Sequence, residues 1–208
     1  MTVSAELWKA SASRAAACLA SPFVSALRDG TLGSDSLGFY VGQDAFFLQA
    51  FARAYCVAAG KSPTSRDLLE LHGLAAGALE ELRLHDRYAS KLGLELAAVT
   101  PAPATSRYTD FLLATAWSSD VGRTGAAMAP CMRLYAYLGK ELLSSLHPGH
   151  PYEDWISTYS SADFEALARQ LEAVVDRHVS DAASVMDVYQ YAMACEFGFF
   201  QAAWDAHH

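Results

Sequence analysis

Apolar residues recur at every third or fourth position along almost the whole chain, and no stretch sustains the alternation of a half-buried strand. A chain patterned this way buries its apolar faces only by packing helices against one another. The spacing predicts an all-α bundle of about seven to eight helices, near residues 4–27, 36–60, 65–93, 106–119, 123–146, 163–180 and 184–204, with a short helix around Trp155. Turn chemistry separates them. Gly30 ends the first helix and a Ser/Asp cap starts the second. Pro63 precedes a Thr64 or Ser65 cap, and Ser160 or Ser161 caps the helix that carries Asp163 in its first turn. The segment TPAPATS, residues 100–106, reads as a proline-stiffened, non-helical connection. With no internal repeat and no low-complexity linker, the 208 residues read as one domain, 1–208.

The chain is 52% apolar and 12% aromatic, which excludes disorder, and its net charge is −8 with the acidic residues dispersed. It lacks the basic stripe that a phosphate backbone requires, so nucleic acid is not an expected partner. No stretch approaches the ~20 apolar residues of a membrane span, and the first residues do not read as a secretory signal. Cys18, Cys56, Cys131 and Cys195 are widely spaced, without a CxxC pair. They are expected as reduced thiols in a cytoplasm.

Two carboxylates stand out because of where the helical period puts them. In FYVGQDAFFLQAFARAY, residues 39–55, Asp44 shares a helix face with Phe47, Leu48, Phe51 and Tyr55. In YQYAMACEFGFFQAAW, residues 189–204, Glu196 is the only charged residue and shares its face with Ala192, Phe199, Phe200 and Ala203. Burying an ionised carboxylate costs several kcal/mol unless it is partnered or its pKa rises. Each could simply pair with a cation or a backbone amide. Two of them, with a cysteine in a similar setting, point to an apolar pocket with a few convergent polar groups, suited to a small flat ligand. Cys131 is that cysteine. Pro130 suits the first turn of a helix, so Cys131 is expected near a helix N-terminus, where the macrodipole favours a thiolate. Tyr135 lies one turn on. Cys195 adjoins Glu196 and should point elsewhere.

Taken in order, SPFVSALRDGTL, YVGQDAFFL, ELRLHDRYASKLGL, APATSRYTDFLLATA, APCMRLYAYLGKELL, HPGHPYEDWISTYSS and CEFGFFQAAW resemble the TenA family over nearly the whole chain. These are the thiaminase II or aminopyrimidine aminohydrolase enzymes of thiamin salvage. The resemblance implies a helical bundle of the heme-oxygenase type that binds no heme, assembled as a homotetramer. It implies a substrate of the 4-amino-5-aminomethyl-2-methylpyrimidine kind, with thiamin itself as a second candidate, hydrolysed to the hydroxymethyl pyrimidine. Cys131 falls on the family nucleophile, which places the chain on the cysteine-containing branch. Glu196 falls on the glutamate at the pyrimidine ring, and Asp44 on the aspartate that bonds the ring nitrogens. Tyr108, Tyr135 and Tyr159 fall on aromatic positions lining the site. Phe47 stands where many members carry a tyrosine, in a QDxxYL pattern.

The resemblance and the residue chemistry converge on one mechanism. A thiolate at Cys131 adds to an electron-poor ring carbon, Glu196 with a raised pKa protonates the ring nitrogen, the amine leaves, water replaces it, and the thiolate departs. Asp44 fixes orientation, and Phe47, Tyr108 and Tyr159 stack on the ring. No metal or organic cofactor is needed. Two other readings compete: a non-catalytic helical protein that binds a pyrimidine or regulates another enzyme, and a di-iron oxidase using Glu81, His85, His72 and His178. In the second, Glu141 and Glu172 read as solvated. His147, His150, His207 and His208 read as surface residues.

Overall fold

The computed structural model describes residues 1–206, apart from the side chains at positions 83, 84, 86–88 and 91. Among the described residues there are ten α-helices and no strand. They are α1 (Val3–Ala10), α2 (Ala12–Leu19), α3 (Pro22–Arg28), α4 (Ser34–Lys61), α5 (Ser65–Leu92), α6 (Pro103–Ser118), α7 (Val121–Leu142), α8 (Glu153–Ser160), α9 (Ala162–His178) and α10 (Met186–Asp205). Short 3-10 turns lie at Leu96–Ala98, Leu143–Ser145 and Ala182–Ser184. No helix among the described residues is long and apolar enough to cross a membrane. All four cysteines are free.

The expected first helix is three. Ser11 ends α1 and begins α2, its hydroxyl turned back onto the Leu7 carbonyl at 2.9 Å. Ser21 then caps α3, which opens on Pro22. A serine bonding its own backbone and a proline without an N–H both interrupt a helix whose apolar period runs straight through them. Pro103 also corrects an expectation. It occupies the first position of α6, where a missing N–H costs nothing, so the second half of TPAPATS is helical. At α4 the cap is Gly33, with Ser34 and Asp35 inside the first turn. Thr64 caps α5 by accepting the Asp67 N–H at 3.1 Å, and Ser161 caps α9 by accepting the Phe164 N–H at 3.1 Å.

α4, α6, α7 and α10 pack together at the centre, with α5 along α4, and α8 and α9 along α7. The core between them is aromatic: Phe23, Tyr40, Tyr55, Tyr108, Tyr189 and Phe200 are fully buried. Polar devices set the spacing. The Lys61 ammonium, at the end of α4, donates to the carbonyls of Ala116 and Trp117 at 2.7 Å each, closing the C-terminus of α6. Gln43, buried beside Asp44, accepts from the Ala102 N–H at 2.8 Å and the Thr105 hydroxyl at 2.6 Å. It also donates to the Thr100 carbonyl at 3.1 Å. The start of α6 is thereby tied to α4.

α8 lies directly on α7 at Gly139. A Cβ there would stand 2.4 Å from the Tyr159 carbonyl carbon and 2.5 Å from the Ser160 nitrogen. Two surface expectations fail. His150 is buried, donating from Nε2 to the Arg28 carbonyl at 3.0 Å and accepting the Tyr152 N–H on Nδ1 at 3.2 Å. Glu172 faces α7 and pairs with Arg133 at 2.6 Å. Glu141 and His147 are exposed as expected, and His207 and His208 lie outside the described residues.

Candidate active site

Six helices each contribute to one buried cluster: α4 gives Asp44 and Phe47, α5 gives Glu81 and His85, α6 gives Tyr108, α7 gives Cys131 and Tyr135, α8 gives Tyr159 and α10 gives Glu196. Asp44 is 5% exposed and Glu196 2%. Both expected carboxylates therefore sit inside the apolar core, and among the described residues neither pairs with an Arg or Lys.

The Glu196 carboxylate accepts the Tyr108 hydroxyl at 2.7 Å and hydrogen-bonds the Cys131 thiol. Burial, reinforced by the nearby Asp44 charge, pushes its pKa up to about 8, against the opposing effect of the bonds from Tyr108 and Cys131. Cys131 departs from expectation. Pro130 lies inside α7, nine residues past its first residue, Val121, so the dipole of a helix terminus does not act on the sulfur. Burial raises the thiol well above its usual value, and Glu196, Asp44 and Glu81 raise it further. The resting sulfur is a neutral thiol, not a thiolate. Pro130 still has a structural effect: it removes the N–H that the Ala126 carbonyl would receive, one residue before the cysteine.

Asp44 is held by a partner that the sequence pattern did not flag in this role. The His85 imidazole meets its Oδ2 at 2.6 Å from Nε2, while Nδ1 lies 3.0 Å from the Glu81 carbonyl. Burial alone would depress the imidazole. The charge of Asp44 and the hydrogen bond to it outweigh that and raise it to about 9. Glu81 accepts the Tyr159 hydroxyl at 2.5 Å, and burial together with the Asp44 charge raises it to about 7. Glu81 and His85 thus belong to the cluster, but as hydrogen-bond partners of Tyr159 and Asp44. His178 pairs with Asp67 at 3.1 Å, and His72 is exposed. Among the described residues no three His, Cys, Asp or Glu side chains are arranged to hold a metal ion.

Aromatic walls enclose the polar groups. Phe47 lies 4.9 Å from Tyr108 and 5.1 Å from Phe51, ring centre to ring centre. Tyr135 lies 4.8 Å from Tyr159 and 5.7 Å from Phe200. The Tyr135 and Tyr40 hydroxyls are 3.1 Å apart, and the Trp155 indole donates to Tyr40 at 3.4 Å. Cys195 is buried near Arg107.

The pattern of the TENA/THI-4/PQQC family matches residues 9–206. The chain belongs to the TENA/THI-4/PQQC family. Among curated relatives, the mitochondrial bifunctional TH2 protein of Arabidopsis thaliana is 38% identical over 88% of this chain. The chain spans only 34% of that relative's own length. The aminopyrimidine aminohydrolase of Bacillus subtilis is 33% identical over 75% of this chain and 66% of its own. In three dimensions this member of the TENA/THI-4/PQQC family superposes on a TenA homologue from P. horikoshii with a TM-score of 0.92, at 25% identity over 99% of both chains. A domain with a heme oxygenase-like fold from Shewanella denitrificans matches with a TM-score of 0.79 at 14% identity, over 98% of this chain and 92% of its own. The fold is therefore the TenA, heme-oxygenase-like bundle.

Proposed function

We propose that the chain is an aminopyrimidine aminohydrolase of thiamin salvage, of the cysteine-containing kind. It would convert 4-amino-5-aminomethyl-2-methylpyrimidine to the 5-hydroxymethyl compound. The observation that carries this reading is one carboxyl group, Glu196, hydrogen-bonded to the Cys131 thiol inside an aromatic box, with a pKa of about 8. The activity named for the Bacillus subtilis relative supports the substrate class.

Because the thiol rests neutral, the chemistry begins with a proton. As the Cys131 sulfur bonds to an electron-poor ring carbon, its proton passes to Glu196, and Glu196 supplies a proton to the ring nitrogen. The carboxyl acts as base and acid in one step, so no free thiolate has to exist in the apolar site. The ring, no longer aromatic, expels the amine from the exocyclic methylene; the electrons of the breaking ring N–H bond drive the departure, and its proton leaves with the amine as ammonia. Water adds to the methylene. The ring nitrogen regains a proton, and the carbon–sulfur bond breaks to restore thiol and aromatic ring. The net change is substrate plus water to alcohol plus ammonia. Asp44, held by His85, orients the amino group and ring nitrogen, while Phe47, Tyr108, Tyr135 and Tyr159 hold the ring flat. A homotetramer and a single domain over 1–208 complete the reading.

Incubating the purified protein with the aminomethyl pyrimidine and following the hydroxymethyl product by chromatography, with ammonia by a coupled assay, tests it. Stoichiometric release of both is expected. Tight binding without either product would assign the chain to pyrimidine binding alone.

A further inference from the structure

The stripe on α4 that carries Asp44, Phe47 and Phe51 ends in a residue that the mechanism leaves idle. Tyr55 is 1% exposed, and its ring meets Phe51 at 4.8 Å. Its hydroxyl is buried and has no hydrogen-bond partner among the described residues. A buried hydroxyl without a partner has lost its hydrogen bonds to water and gained none in return. A phenylalanine would fill the same space without that cost. The other buried tyrosine hydroxyls of the cluster are bonded: Tyr108 to Glu196, Tyr159 to Glu81, and Tyr40 to Tyr135.

Tyr55 also borders open space. A cleft of about 620 Å³ runs between α4, α5, α7, α8 and α9, lined by Phe51, Tyr55, Glu81, Met132 and Phe164 among others. Through Tyr55 and Glu81 the cleft adjoins the cluster, and Cys131 and Glu81 lie near enough to the phenol to act on it electrostatically. Positions 44 and 55 are roughly 16 Å apart along the helix, at 1.5 Å per residue. Side chains on a helix all tilt toward its N-terminus, so it is the longer reach of tyrosine over aspartate that closes part of that distance. A ring anchored at Asp44 would therefore meet Tyr55 with its substituent and not with the ring itself.

We propose that the Tyr55 hydroxyl is a specificity contact that hydrogen-bonds the polar group carried on the exocyclic methylene of a pyrimidine ligand, at the point where the site opens into this cleft. This rests on the aminopyrimidine reading above. A phenol both donates and accepts, so it serves the amine of a substrate and the hydroxyl of a product alike.

The test is calorimetric titration of wild type and Tyr55→Phe with two ligands, the 5-hydroxymethyl pyrimidine product and its 5-methyl counterpart, which lacks the polar group. The variant should bind the hydroxymethyl compound about 3- to 10-fold more weakly, the worth of one neutral hydrogen bond. It should bind the methyl compound within two-fold of wild type, roughly the limit of additivity for an untouched contact. Without ligand it should melt at the same temperature or higher, because an orphaned hydroxyl has been removed. Equal losses for both ligands, or no loss for either, would overturn the proposal. The binding measurement does not require turnover, so the two readings fail separately. Expected binding without hydrolysis would overturn the enzymatic reading alone. Hydrolysis with an indifferent Tyr55→Phe variant would overturn this one alone. A wild type that binds neither pyrimidine would overturn both.

Discussion

A carboxyl group with a pKa of about 8, touching a thiol, is equipped to take one proton and give another near neutrality. Glu196→Gln keeps the shape and the hydrogen bonding but has no proton to relay. Its turnover should fall by ~100-fold or more while the affinity for the pyrimidine product changes by less than ~10-fold, measured by steady-state kinetics beside calorimetry. A variant that lost affinity and kept its rate would move Glu196 from chemistry to binding. Cys131→Ser should show no measurable turnover and an unaltered circular dichroism spectrum, because a serine hydroxyl with this environment lacks the nucleophilicity of sulfur. At this scale the sequence was informative where a residue contradicts its own helix face. Asp44 and Glu196 declared themselves as charges on apolar stripes. Glu81 and His85 were legible only as a pair one turn apart on a helix, which suggested metal ligands; the groups they bond were not legible. The bond from His85 to Asp44 spans 41 positions, and local patterning carries no signal at that range.

The helices place these groups through contacts as tight as backbone on backbone. Tyr159 reaches Glu81 because α8 lies against α7 at Gly139, where there is no room for a methyl group. Gly139→Ala must push α8 outward. A destabilisation of about 3 kcal/mol is expected, at the upper end for overpacking because the obstacle is main chain. Denaturant titration would measure it, and the product affinity should fall with it as Tyr159 withdraws. A variant of unchanged stability and affinity would show that α8 shifts freely. Element boundaries were legible where side-chain chemistry is local, as at Thr64 and Ser161. They were not legible where it is ambiguous. Pro103 begins a helix, whereas Pro130 sits inside one, and proline at N1 and proline tolerated by tertiary packing look alike in sequence.

For the whole molecule the buried cluster sets a pH dependence. Glu81, Glu196 and His85 all have folded-state pKa values raised, to about 7, 8 and 9. The folded state therefore holds more protons than the unfolded chain between the ordinary carboxylate range and about pH 9, and stability falls as pH rises through that window. The opposite sign applies to Asp67 and Glu165. Burial opposes it, but hydrogen bonds from Thr64 and Arg177, and from Lys140, Arg169 and Arg133, hold them down to about 2. Their contribution is present above the ordinary carboxylate range and is lost as pH falls toward 2. The ligand-free protein should thus melt highest near pH 5 to 6 and progressively lower toward pH 9, by scanning calorimetry. Glu81→Gln with Glu196→Gln should flatten the alkaline decline. A flat profile between pH 6 and 9 in the wild type would show that the cluster is hydrated enough to titrate normally.

The sequence by itself determined the class of fold, the long helices and the residues that break a pattern: a 3.6-residue apolar period admits only helix packing, and Asp44, Glu196 and Cys131 are conspicuous within it. Only the tertiary structure decided what those residues are chemically. Cys131 is a neutral thiol because burial raises its pKa and carboxyl groups from three other helices, Glu196, Asp44 and Glu81, raise it further. Asp44 is paired because α5 folds back along α4 to deliver His85. Protonation states depend on the total field and burial at a point, and both are sums over residues far apart in the chain.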